Sequence, residues 1–102
     1  MTDRPLPPTI DGLRARRDEI LDLTAQYGVS NVRIFGSVAR GESTPESDVD
    51  LLVDFPSQFS LLDLSALWQD LQELLGYPVN ILSDGALKER FRERIQQDLI
   101  TL

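Results

Sequence analysis

The stretch IFGSVARGESTPESDVDLLVDF, residues 34–55, joins two runs of strand-forming residues through a loop rich in Gly, Ser, Thr and Pro, and sets Asp48, Asp50 and Asp54 into the second run. Side chains alternate across a strand, so Val49, Leu51 and Val53 share an apolar face while Asp48, Asp50, Leu52 and Asp54 share the other. Asp48 and Asp50 then stand about 6 to 7 Å apart along the backbone. Carboxylates that close repel unless a positive group lies between them, and a divalent cation meets that need. The structural alternative is an exposed edge strand kept soluble by acidic side chains. The preceding turn favours the cation. Gly36 opens backbone conformations closed to other residues, and Ser37 brings a small hydroxyl and an N–H to a short helical turn over 37–40, a good place for phosphate oxygens. A phosphate cradle beside paired carboxylates is the apparatus of phosphoryl or nucleotidyl transfer.

Outward from this stretch, Pro5, Pro7 and Pro8 predict an extended or mobile arm over residues 1–8, and residues 9–102 form one domain. Thr9 or Asp11 caps a helix predicted through Tyr27 and ended by Gly28. NVRIF, residues 31–35, reads as a strand, as does DVDLLVDF, closed by Pro56. In SLLDLSALWQDLQELLGY, Leu61, Leu64, Leu67, Trp68, Leu71, Leu74 and Leu75 recur at three and four residues, an amphipathic helix with Trp68 in its core stripe and Gly76 at its end. PVNIL is a third strand. Ser83 then caps a last helix in which Leu87, Phe91, Ile95 and Leu99 recur every fourth residue. The expected class is α/β (α+β), a small mixed three-stranded sheet packed with helices.

Composition narrows the chemistry. The 102 residues contain no Cys and no His, which excludes thiolate catalysis, Cys/His zinc sites and triads with a His base. A metal must be held by oxygen, which favours Mg2+, Mn2+ or Ca2+. The net charge of −7 argues against broad nucleic-acid binding and points to a basic protein surface or a phosphorylated ligand bridged by a cation. No stretch reaches the roughly 18 apolar residues of a membrane span, and the start MTDRPLPPTIDG lacks a signal-peptide core, so a soluble, cytoplasmic chain is expected. The basic cluster Arg14, Arg16 and Arg17 reads as a solvated helix face.

Gly36-Ser37, ten residues, then Asp48-Val49-Asp50 resembles the signature of the nucleotidyltransferases related to DNA polymerase beta. At ordinary residue frequencies its four fixed positions match by chance in roughly one chain in a thousand. The longer string FGSVARGESTPESDVDLLV is similar to the minimal nucleotidyltransferase (MNT) branch, whose members are often partners of HEPN-domain toxins. The resemblance runs from about residue 11 to 102, with LLGYPVNILSDGALKERFRERI fitting the tail of the fold. It implies the polymerase beta-like fold, two Mg2+ ions held by Asp48 and Asp50, and the phosphates of ATP seated by Gly36 and Ser37. Arg40 would add a bidentate phosphate contact, its alternative being a surface Arg in a polar loop. The implied activity is an antitoxin's: transfer of AMP from ATP to a tyrosine of a HEPN ribonuclease toxin, within a hetero-oligomer.

One position departs from the pattern. The family places a third carboxylate in the strand after the long helix, where this chain has Val79-Asn80-Ile81-Leu82. Asn80 can offer a carbonyl oxygen to a cation but brings no charge and cannot act as a base. Asp54 lies about 13 Å from Asp50 along the strand, too far to share its metals, and reads as a solvated strand end. Asp84 is read as favouring the dipole of the last helix. Two further functions therefore stand beside the first: a binding-only antitoxin with impaired catalysis, and a nucleotidyltransferase acting on a small hydroxylated molecule.

Overall fold

The computed structural model describes residues 6–102; the arm expected over residues 1–8 falls partly outside them. Residues 6–8 run without regular structure along the domain. Pro8 is fully buried and its carbonyl accepts from the Ser43 hydroxyl, while the Leu6 carbonyl accepts from Tyr77 Oη at 2.6 Å.

Thr9 caps α1 (Ile10–Ala15), its Oγ1 accepting from the Gly12 N–H at 3.0 Å. The single helix expected through Tyr27 is broken at Arg16, where the backbone leaves helical geometry before α2 (Arg17–Gln26) begins. Arg16 at the break donates to the Leu74 carbonyl and Arg17 to that of Leu102 at 2.8 Å, so two of the three clustered arginines tie the chain together. Next come β1 (Ser30–Phe35), α3 (Gly36–Arg40) and β2 (Val49–Asp54). The long helix α4 (Leu61–Leu75) opens on a reciprocal capping box between Ser60 and Asp63 and is followed by β3 (Val79–Ser83).

The end of the chain corrects the sequence reading. The last helix was expected from Ser83 through Leu99. Instead a 3-10 turn (Asp84–Ala86) leads to α5 (Glu89–Gln96), and β4 (Ile100–Thr101) follows. The three-stranded sheet is therefore four-stranded, in the order β3-β2-β1-β4. β4 lies antiparallel to β1, Ile100 opposite Ile34, and the Leu102 N–H donates to the Val32 carbonyl at 3.1 Å. Pairing satisfies the otherwise open edge of β1, and burial of Leu102 fixes the tail, which outweighs helical periodicity at Leu99.

β2 is the strand that places the acids, and it is interior. It runs antiparallel to β1 and parallel to β3, with α4 as the crossover. Its apolar face, Val49, Leu51 and Val53, joins Ile34, Ile20, Leu67 and Leu71 in the main core. The opposite face is covered by α5: Leu52, only 1% exposed, packs with Phe35 and Ile95. The edge-strand account of the acids is thus ruled out, since β2 has a neighbour on each side and its acidic face is partly roofed.

Three residues assigned to apolar stripes lie at the surface, Leu61 the most open of them at 83% exposed. Trp68 is 44% exposed and its Nε1 donates to the Val79 carbonyl at 2.7 Å; Phe91 is also 44% exposed. Asp54, expected to be solvated only, accepts from Asn31 and pairs with Arg33 at 3.3 Å. Asp84, expected to serve a helix dipole, faces Arg33 at 3.8 Å and Arg92 at 3.6 Å. These four side chains form one ion-pair cluster on the covered face.

Candidate active site

Strand direction brings the candidate residues to one end of the sheet. Gly36 follows the end of β1, Asp48 precedes the start of β2, and Asn80 is the second residue of β3. In register, Phe35 lies opposite Asp50 in the antiparallel pair and Asn80 opposite Asp50 in the parallel one. Asp50 is therefore central, with the glycine turn on one side and Asn80 on the other.

Gly36 has φ +76, a conformation that L side chains rarely adopt. A Cβ built there would lie 2.2 Å from Asp50 Oδ2, so the carboxylate occupies the space a side chain would need. Two constraints, the backbone and the close approach, select glycine together. Ser37 is half-buried within α3, and Val38 beneath it anchors the helix in the core.

Asn80 Nδ2 donates to Asp48 Oδ2 at 3.1 Å and to Asp50 Oδ1 at 2.9 Å. One nitrogen thus lies within hydrogen-bond distance of both carboxylates, which shows that they converge on a common point. Burial pushes the Asp50 carboxyl above its ordinary value, and the charge of Asp48 adds to this; the Asn80 hydrogen bond and Arg40 oppose it. The site therefore favours whatever supplies positive charge between the two acids. Among the described residues no three or more acidic side chains gather as a metal-holding group; Asn80 is the third polar side chain at this point.

Arg40 lies at the far end of α3, bonded to Asp98 Oδ2 at 3.0 Å and to Glu42 Oε2 at 3.2 Å. The Asp98 bond, then that to Glu42, raises its pKa further above the ordinary arginine value. Sequence reading found Arg40 but not these partners. Asp98 is 58 residues away, and no local spacing joins it to the Gly-Ser turn.

Asp48, Asp50 and the Asn80 carbonyl oxygen are the donors that could hold a cation here. Two carboxylates already converge, the glycine cradle keeps Asp50 in place, and rotation of the Asn80 amide would present its carbonyl oxygen in place of its N–H.

The profile of the family described as nucleotidyltransferase domain matches residues 17–101. The protein adenylyltransferase MntA of Thermococcus cleftensis is 35% identical over 79 residues, covering 78% of this chain and 80% of that protein. A solved structure of a candidate minimal nucleotidyltransferase superposes with a TM-score of 0.80 at 46% identity, covering 92% of this chain and 96% of the other. The fold is also shared, at 14% identity and a TM-score of 0.65, with a structure of a tri-AMPylated Shewanella oneidensis HEPN toxin in complex with its MNT antitoxin; 86% of this chain and 69% of that one are covered. With the family model matching residues 17–101 and a minimal nucleotidyltransferase structure 46% identical, the chain belongs to the nucleotidyltransferase domain family, on its minimal nucleotidyltransferase branch.

Proposed function

We propose that the protein is an MNT-type antitoxin that transfers AMP from ATP to a tyrosine of a HEPN-domain toxin, acting in the cytoplasm, where ATP is supplied. The observation that carries this reading is the fit of Gly36 against Asp50, with Asp48 and Asn80 converging on the same point. Asp48 and Asp50 would hold Mg2+, and Gly36 and Ser37 would seat the triphosphate. When bound, Mg2+ supplies charge neutralisation at the attacking oxygen and the departing pyrophosphate. The tyrosine oxygen attacks the α-phosphorus, the bond to the bridging oxygen of the β-phosphate breaks, and the phenolic proton passes to a carboxylate or water at the site. The names of relatives support adenylyl transfer to protein, and the shared fold of a toxin-bound antitoxin supports the partner.

A second reading rests on Asn80. Its amide supplies no negative charge, and a chain with two carboxylates could bind and neutralise a toxin without turning over. Incubation with labelled ATP, Mg2+ and the HEPN protein encoded beside this one separates the two. Label transfer by the wild type supports the enzyme. Transfer by Asn80→Asp alone, with the wild type still neutralising the toxin, supports the binding-only antitoxin.

A further inference from the structure

Along the outer edge of the sheet, α4 and β3 enclose an open groove of about 390 Å³, lined by Leu61, Leu64, Ser65 and Trp68 of the helix and by Val79, Asn80 and Ile81 of the strand. We propose that this edge docks an extended, basic segment of the acceptor protein, which adds to β3 as a further strand and carries its hydroxyl across Asn80 to Asp48 and Asp50. The inference rests on the nucleotidyl-transfer reading above and goes beyond it by giving the acceptor a binding surface and a direction of approach.

The backbone supplies the first argument. Successive residues of a strand direct their N–H and C=O groups to opposite sides, and the Val49 N–H, donating to the Pro78 carbonyl at 2.8 Å, sets Val79 and Ile81 facing outward. Helix α4 takes both groups of Val79: Trp68 Nε1 donates to its carbonyl at 2.7 Å, and Gln72 Oε1 accepts from its N–H at 3.1 Å. Ile81 has no such cap among the described residues, so its N–H and C=O stand open in the same groove as Trp68, 44% exposed, and Leu61, 83% exposed. An unpaired edge bordered by apolar side chains is what strand addition requires.

The chemistry supplies the direction. In-line displacement brings the attacking oxygen from the side opposite the departing pyrophosphate. With that group over Gly36, on the β1 side of Asp50, the acceptor comes from the β3 side, where Asn80 stands. An added strand would lie two strand spacings, about 10 Å, from β2, a gap that a tyrosine side chain and the aspartate facing it span between them. Charge selects the occupant. From residue 41 to 87 the chain has no Lys or Arg, and Glu46, Asp48, Asp50, Asp63, Asp70 and Glu73 form no ion pair among the described residues. A basic segment is drawn to this surface, whereas a second copy of the chain, at net charge −7, is repelled by it.

The test is residue-resolved hydrogen exchange of the full chain, alone and with the full-length HEPN protein encoded beside it. The Ile81 amide is expected to exchange at least about tenfold more slowly in the complex. Ser65→Lys puts a cation into the groove at an exposed helical position that lysine suits. It is expected to weaken partner binding about tenfold while changing Mg2+-dependent ATP binding by less than about twofold. No protection of Ile81 in the complex, or full partner affinity in Ser65→Lys, overturns the inference, and AMP transfer in that case leaves the nucleotidyl-transfer reading standing. Protection of Ile81 in the chain alone, growing with its concentration, assigns the edge to a second copy and also overturns it. Ile81 protected in a complex that transfers no AMP upholds the docked strand and overturns the transfer reading alone.

Discussion

Gly36 and Asp50 are fitted to one another: the carboxylate oxygen lies where the first side-chain atom of any other residue would be, 2.2 Å from the ideal Cβ position. Gly36→Ala must therefore both strain a left-handed backbone, at about 1 to 2 kcal/mol, and push Asp50 aside. The expected outcome is a modest loss of stability in denaturant melts. Nucleotidyl transfer should fall by about 100-fold or more, as befits a misplaced reacting group.

Asp50 also sets a pH dependence. Burial first, then the charge of Asp48, raises its pKa in the folded chain above the unfolded value. The folded state thus binds the proton more tightly. Its contribution to stability is fully present below the unfolded pKa and is lost as pH rises through the folded one. In chelator, Asp50→Asn should be more stable than wild type at neutral pH, with the difference vanishing at low pH. A set of urea melts from pH 3 to pH 7.5 checks this. No change in the wild-type-to-variant difference over that range would contradict it.

Asn80→Asp replaces the donor that joins Asp48 and Asp50 with a third negative charge. Without metal the variant should melt below wild type at neutral pH, by the cost of lost hydrogen bonds plus repulsion, about 1 to 3 kcal/mol. Mg2+ should then raise its Tm more than it raises that of the wild type, because binding to the folded state alone stabilises it. Thermal melts with and without Mg2+ measure both halves of the claim.

Arg33 is the hub of the ion-pair cluster on the covered face, 13% exposed and facing both Asp54 and Asp84. Arg33→Ala should cost about 2 kcal/mol and lower Tm by roughly 10 °C. Since the cluster lies at the other end of β2 from Asp48, Mg2+-dependent ATP binding by the folded variant should be retained.

Much of this arrangement was legible in the sequence because its causes are local. The Gly-Ser turn, the alternation in DVDLLVDF and the capped helix over 61–75 each carry their signal within a few residues, and the Asn in place of a third acid is visible by position alone. What was hidden depends on distant partners. The bend at Arg16 has the Leu74 carbonyl at its other end, and β4 forms because β1 has an edge to fill. Leu61, Trp68 and Phe91 keep apolar periodicity yet stay exposed, because periodicity cannot report which stretch of a stripe is covered. Arg40 was found as a candidate, but its capture by Asp98 requires the turn between α5 and β4 to come back beside the end of α3.

The most direct test of the central claim is the intact mass of the HEPN partner after incubation with this protein, ATP and Mg2+. The expected result is a gain of one AMP per modified tyrosine with the wild type and none with the Asp48→Ala, Asp50→Ala double variant. An unmodified partner that the wild type nevertheless neutralises would contradict the account and leave the protein a binding-only antitoxin.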